Sequence, residues 1–349
     1  FPDVTYCPYN DLRIIADRYD AVINLAVLNN KEIATWNDFK KVNVDLPLSL
    51  LPVVEKTSMK LFITVSSVNA LDMSDQSKYA KSKRLMHEEL SRVKTVNKAT
   101  YYLAYTYSPS AWQGSLAFIN KLPKSLQKPS IKIINVFWPV LNYKELADRI
   151  NNLKCPEFDR ILADGQYQNA LFNVIKRSVD IIISAVASIL CILIFPIVGL
   201  LIKLSSQGPV FFKQKRVGKN GKTFICYKFR TMRYGVEQTP THLSNKDNIT
   251  AFGHFLRRTK IDELPQAINV LKNEMSVVGP RPSLTSQKSL IHSRSINNLL
   301  TLKPGITGLA QVNGVDMSDT QKLVSHDLAY MKLQTLTLDL KILLKTFRF

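Results

Sequence analysis

Residues 181–202 read IIISAVASILCILIFPIVGLLI, a run of 22 positions without a charge. At 1.5 Å per residue such a run makes a helix of about 33 Å, enough to cross the hydrocarbon core of a bilayer. By length alone it would be a single transmembrane span. Two features argue otherwise. Lys176 and Arg177 precede the run, and Lys203, Lys213, Lys215, Arg216, Lys219 and Lys222 follow it. Positively charged flanks favour the cytoplasmic side, and one span cannot put both ends there. Pro196 also lies inside the run, where it removes a backbone donor and kinks a helix. The expectation is a re-entrant helix that enters, breaks at Pro196 and returns to the same face. Ser184 and Ser188 would supply partners for the buried backbone at the break.

The remaining sequence must fold around this segment. A chain of 349 residues suggests two domains, and its 46% apolar and 21% charged residues exclude a disordered or collagen-like class. Cys7, Cys155, Cys191 and Cys226 form no CxxC, and the five histidines show no paired spacing. Neither a disulfide framework nor a transition-metal centre is therefore expected, and a reducing cytoplasm fits. The first residue is Phe1 rather than Met, so an upstream segment is expected. The two halves differ in kind. Residues 1–160 carry 22 basic and 16 acidic residues, whereas 161–349 carry 25 and 11. Gly114 alone of the 12 glycines precedes residue 160. A boundary is expected in the polar stretch 151–168, with domains at 1–165 and 166–349. The basic second half calls for an anionic partner: a phosphate substrate, lipid headgroups or nucleic acid.

In the first half, residues 21–27, 60–65, 99–106 and 131–138 read as buried strands, being short apolar runs rich in β-branched and aromatic residues. Helical patterns lie between and after them, near 46–56, 78–93, 111–122 and 143–150. Alternating strands and helices imply an α/β fold with a parallel sheet covered on both faces. DAVINLA (20–26), Ser66-Ser67 and YAKSK (79–83) resemble the extended short-chain dehydrogenase/reductase family of NAD-linked nucleotide-sugar epimerases and dehydratases. The resemblance implies a Rossmann-like domain in which Tyr79 is the acid/base, Lys83 lowers its pKa and Ser67 holds a substrate hydroxyl. The glycine-rich turn that seats a dinucleotide pyrophosphate is absent, and with it the first βαβ unit. NAD is therefore not expected on this chain, and Ser67, Tyr79 and Lys83 read as the remnant of a dehydrogenase-type site.

The second half alternates apolar residues with Lys and Arg in PVFFKQKR (209–216) and FICYKFRTM (224–232), around a GKNG turn. In IDELPQ (261–266), Asp262 falls at an expected helix N-cap with Pro265 in the first turn. Two prolines in GPRP (279–282) clamp the backbone around Arg281, whose planar fork suits phosphate oxygens. Taken in order, KRSVD (176–180), the apolar run, YKFRTM, IDELPQ, GPRP, KPGITGLAQVNG (303–314) and DLAYM (327–331) resemble the bacterial sugar transferases, small monotopic phosphoglycosyl transferases. The resemblance implies a membrane-embedded re-entrant helix beside a small α/β catalytic region. It further implies transfer of a sugar-1-phosphate from a UDP-sugar to polyprenyl phosphate, with release of UMP. Asp262 would be the nucleophile forming a covalent phosphosugar intermediate, and Glu263 its partner in holding Mg²⁺. Arg257 and Arg281 would hold the diphosphate, with Lys228, Arg230, Gln311 and Asn313 also in the substrate site. Leu309 and the Val315-Asp316 pair depart from the family pattern, leaving the sugar open.

Three function classes follow. The leading one is an enzyme of the cytoplasmic membrane that starts a glycan (exopolysaccharide, capsule, O-antigen or glycoprotein) on a lipid carrier. It would touch membrane lipids and other enzymes of its pathway. The second is an NAD-dependent nucleotide-sugar epimerase, dehydratase or reductase in residues 1–165, giving a bifunctional enzyme. The third, nucleic-acid binding, rests on charge alone, and no binding motif accompanies it.

Overall fold

A computed structural model of the chain describes residues 5–29, 33–57, 59–108, 114–153, 158–235 and 246–347. The chain forms two compact units, residues 1–131 with 139–164, and 132–138 with 165–349.

The first unit is built on parallel strands β1 (Ala21–Asn24), β2 (Leu61–Ser67), β3 (Lys98–Leu103) and β6 (Arg160–Leu162), in spatial order β1-β2-β3-β6. Two further strands, β4 (Tyr105–Tyr107) and β5 (Val140–Asn142), pair in parallel beside them. Leu61, Phe62, Ile63 and Thr64 of β2 are all buried, as a strand covered on both faces requires. One side packs Phe62 with Met86 and Leu90 of helix Lys78–Arg92; the other joins Ile63 to Ala99, Tyr101 and Leu141. Ser77 caps that helix by accepting a hydrogen bond from the Ala80 amide at 3.1 Å.

The expected strand at 131–138 is instead the second half of helix Lys124–Phe137. Ile131, Asn135 and Val136 are buried while Lys132, Ile133 and Phe137 are exposed, a helical rather than an alternating pattern. A short apolar run carries no clear period, and the strand of this region falls at Val140–Asn142. Of the expected helix at 111–122, residues Gly114–Lys121 form a 3-10 helix and 111–113 lie outside the described residues.

The second unit is organised by helix Ala170–Ser205, which is 36 residues long. The break expected at Pro196 is not there: the helix continues through the proline. Packing explains why it holds. Phe172, Asp180, Ser184, Cys191, Val198 and Ile202 are buried along one stripe, on both sides of Pro196. Phe195 stacks on Phe211 with ring centroids 5.4 Å apart, and Phe211 stacks on Phe229 at the same separation. These contacts offset one missing backbone hydrogen bond. Only 17% of the helix's most apolar stretch is buried, so it is not the core helix of a soluble domain. Ile182, Ile189, Ile192, Leu193, Ile197, Leu200 and Leu204 all face outward. A continuous outward apolar face of this length is suited to lipid.

The antiparallel hairpin β7 (Phe211–Val217) and β8 (Thr223–Phe229) follows, joined through Asn220 at φ 55° and Gly221 at φ 75°. Strand β10 (Ser283–Leu284) adds to β7, and β9 (Ser276–Val278) pairs in parallel with β11 (Gly305–Thr307). Helices Thr320–Leu333 and Leu336–Thr346 complete the unit, with Tyr330 and Ile342 in a core shared with Val270, Met275 and Val278.

Candidate active site

The hairpin register places Phe212 opposite Lys228, Gln214 opposite Cys226 and Arg216 opposite Phe224. Side chains alternate across a strand, so Gln214, Arg216 and Lys228 share one face while Lys213 and Lys215 turn outward. That face borders a cavity of about 750 Å³ lined by Arg216, Lys228, Arg257, Lys260, Asp262, Glu263 and Arg281, with aromatic walls at Phe211, Phe212 and Phe229.

Asp262 reaches the cavity by a tight backbone turn. Helix Ala251–Thr259 ends at Lys260, whose φ of 60° is left-handed, and the 3-10 turn Ile261–Gln266 starts directly after it. Lys260, not Asp262, holds the N-cap position, and no side chain caps this turn. Asp262 is therefore not the N-cap its place in the sequence suggests. Asp262 sits inside the first turn, where its carboxylate is not used to cap the turn, and it is only 7% exposed.

The neighbouring acid is held differently. Lys228 Nζ donates to Glu263 Oε1 at 2.6 Å, and Arg281 Nη1 lies 3.8 Å from the same oxygen. Burial pushes the Asp262 carboxyl up to about 6, and the adjacent Glu263 anion adds to the rise. Burial pushes Glu263 upward too, but Lys228 and Arg281 more than compensate and leave it below the usual carboxylate range. One acid is thus locked as an anion and the other is poised near neutrality, the split expected where two adjacent carboxyls have separate tasks.

Arg257 Nε donates to Thr231 Oγ1 at 2.9 Å, which aims its guanidinium along the cavity wall. Arg230 also borders the cavity, but it donates to the carbonyls of Ser206 at 2.6 Å and Gln207 at 2.9 Å. It closes the C-terminal end of the long helix, a task its sequence position does not disclose. Gln311 and Asn313 are not brought to the cavity. Gln311 donates to the Ile306 carbonyl at 3.3 Å, and Asn313 is exposed at the end of helix Leu309–Val312. The glycines of that motif serve backbone packing. A Cβ on Gly305 would lie 2.1 Å from the Gly279 nitrogen, and one on Gly308 would lie 2.2 Å from the Gly279 oxygen. KPGITG therefore braces GPRP from behind.

The KRSVD and DLAYM motifs tie the apolar helix to the same strand. Asp180 accepts from the Val277 amide at 3.0 Å and from Ser276 Oγ at 2.8 Å. Lys176 pairs with Asp339 at 2.6 Å, and Tyr330 donates to Asp339 at 2.8 Å. Sequence reasoning missed Arg216 and Asp339. The alternation of FFKQKR could have found Arg216, whereas nothing local marks Asp339.

In the first unit, Tyr79 lies near enough to Ser67 for that hydroxyl to favour its ionised form, so these two expected residues do approach. Burial raises the Tyr79 hydroxyl above its ordinary value. Lys83 Nζ instead donates to the Val65 carbonyl at 2.9 Å, and burial lowers it to about 8. Among the described residues no three His, Cys, Asp or Glu side chains cluster as a metal site.

Known proteins resemble the second unit. UDP-glucose:undecaprenyl-phosphate glucose-1-phosphate transferase of Xanthomonas campestris pv. campestris is 42% identical over 156 residues, 42% of this chain and 32% of that protein. UDP-N-acetylgalactosamine-undecaprenyl-phosphate N-acetylgalactosaminephosphotransferase of Aeromonas hydrophila is 35% identical over 228 residues, 60% of this chain and 52% of that protein. These matches span about a third to a half of the relatives' length. Exopolysaccharide production protein ExoY of Rhizobium meliloti (strain 1021) is 35% identical over 188 residues, 49% of this chain and 83% of that protein. Among solved structures, a UDP-glucose 4-epimerase of Thermotoga maritima is similar at 16% identity and a TM-score of 0.35, covering 48% of this chain and 64% of that one. Residues 171–349, which contain the cavity and its carboxylate pair, match the bacterial sugar transferases throughout, and the chain belongs to that family.

Proposed function

We propose that residues 171–349 transfer a sugar-1-phosphate from a UDP-sugar to polyprenyl phosphate at the cytoplasmic face of a bacterial inner membrane, releasing UMP. The observation carrying this reading is a buried carboxylate, Asp262, beside Lys228, Arg257 and Arg281 in one cavity of a module with an outward apolar helix. The Xanthomonas and Aeromonas relatives are named for such transfers to undecaprenyl phosphate, and ExoY for exopolysaccharide production.

The chemistry follows from the charges. One Asp262 oxygen bonds to the sugar-bearing phosphorus while the bond from that phosphorus to the bridging oxygen breaks, and the electron pair leaves on UMP. A phosphate oxygen of the polyprenyl carrier then attacks the same phosphorus, and the Asp262 carboxylate departs. Arg257 and Arg281 meet the negative charge of the diphosphate in both halves, with little reorganisation because each is already held. Two adjacent carboxylates suit a cation that keeps waters and takes its other ligands from substrate phosphates, so Asp262 and Glu263 would hold Mg²⁺. When bound, that ion would supply further neutralisation of the diphosphate.

The first unit is assigned no NAD(H) chemistry. No glycine lies before residue 114 to let the backbone approach a dinucleotide pyrophosphate, and Lys83 is turned to a strand carbonyl. The test of the main reading is UMP release from a panel of UDP-sugars, with label followed into organic-extractable lipid. Asp262→Asn keeps the side-chain size but removes the anion, and release from it at near the wild-type rate would overturn the nucleophile.

A further inference from the structure

The buried ion pair Arg294–Asp327 lies outside the cavity, and the structure assigns it the task of positioning Arg281. Arg294 comes from helix Lys288–Ile296 and Asp327 from helix Thr320–Leu333; they are 4% and 2% exposed. Arg294 Nε and Nη2 both donate to Asp327 Oδ2, at 3.0 and 2.7 Å. Its remaining arm, Nη1, donates to the main-chain carbonyl of Arg281 at 2.8 Å.

The neighbouring carbonyls are held as well. Pro280 accepts from the Gly305 amide at 2.9 Å, and Pro282 accepts from Arg216 Nη1 at 2.9 Å. Three successive carbonyls thus meet donors from three separate segments, and prolines on both sides of Arg281 fix their own φ angles. The Arg281 backbone is immobilised while its guanidinium stays in the cavity, 3.8 Å from Glu263. A space-filling role alone would not require charges, because a well-packed apolar pair fills such a site at least as stably. What an apolar pair lacks is the planar fork that grips a carboxylate with one edge and a carbonyl with the other.

This assignment rests on the proposed diphosphate role of Arg281, and the test separates the two. Arg294→Met/Asp327→Leu removes both charges together, so the fold is expected to persist. Arg294→Lys keeps the charge without the fork and serves as a second route if the double variant fails to fold. Hydrogen exchange in the full-length protein is read over residues 279–287, and binding is read with UDP alone. Exchange there should rise in both variants, and UDP affinity should fall by about tenfold, the scale set by a small misplacement of a positioned group. On an Arg281→Ala background the same changes should cost no further affinity, since the residue they position is gone. Unchanged exchange in a folded variant, full recovery by Arg294→Lys, or losses that multiply on the Arg281→Ala background would overturn the positioning role. Undiminished UDP binding by Arg281→Ala would instead overturn the diphosphate role, while the exchange result still decides the clamp.

Discussion

Gly305→Ala tests whether KPGITG is a ligand loop or a brace. The added Cβ would lie 2.1 Å from the Gly279 nitrogen, 2.4 Å from the Thr307 oxygen and 2.6 Å from the Gly279 oxygen. All three are backbone atoms, so no side chain can swing aside, and β9 and β11 must part by about 1 Å. Overpacking of this kind costs roughly 1–3 kcal/mol. Parting the strands also weakens the bonds from the Gly279 amide to Thr307 and from the Gly305 amide to Pro280, both 2.9 Å. At about 0.5–1.5 kcal/mol for each, the total is roughly 2–6 kcal/mol, a large share of a domain's stability. Because Pro280 adjoins Arg281, turnover should fall as well, by up to about a hundredfold. Thermal unfolding and UMP release measure the two effects. Gly199→Ala is the control: its Cβ would meet Val210 at an ordinary 3.7 Å within a helix, and Ala there should be neutral or stabilising by about 1 kcal/mol. A Gly305→Ala protein with wild-type melting temperature and turnover would refute the brace.

Three other outcomes are expected. Turnover should fall on the acid side, because without Mg²⁺ burial holds the Asp262 proton on to about pH 6 and only the anion attacks. Since the folded state binds that proton more tightly than the unfolded chain does, ionising Asp262 costs stability as pH rises from about 4 to about 6. Lys228→Met, which strips Glu263 of its nearest cation, should move the acid midpoint upward; a pH-independent rate between 5 and 8 contradicts this account. Cysteines replacing Val174 and Lys203, both exposed at the ends of the apolar stretch, should be labelled from the same side of the membrane. Asp180 is bonded to β9 and Arg230 to the Ser206 carbonyl just past the helix, so both ends of the stretch rest on one unit; labelling from opposite sides would establish a span. Finally, Tyr79→Phe should leave lipid-linked transfer unchanged, and calorimetry should detect no NADH binding by this chain. Heat of NADH binding that vanishes in Tyr79→Phe would show a working second site.

Local order in the chain was enough for features that need only near neighbours. The uncharged run had to be helical and apolar, the GKNG turn had to fold a hairpin, and the YAKSK segment had to be a helix with Tyr79 and Lys83 one turn apart. Asp262, Glu263, Arg281 and Lys228 were identifiable because each lies in a motif of fixed spacing, Arg257 only through the family resemblance, and the fold brings all five to one cavity. Features that depend on a distant partner emerged only once the elements packed. Pro196 announces a break, yet aromatic stacking from Phe211 and Phe229 carries the helix across it. Asp262 looks like a cap until the left-handed Lys260 takes that position. Arg230 looks like a phosphate ligand until the end of the long helix presents its carbonyls. Arg294 has no local signature, because its partners Arg281 and Asp327 are 13 and 33 residues away. Local spacing fixes which groups share a face, but which carbonyl or carboxylate a buried guanidinium must satisfy is settled only when the elements pack.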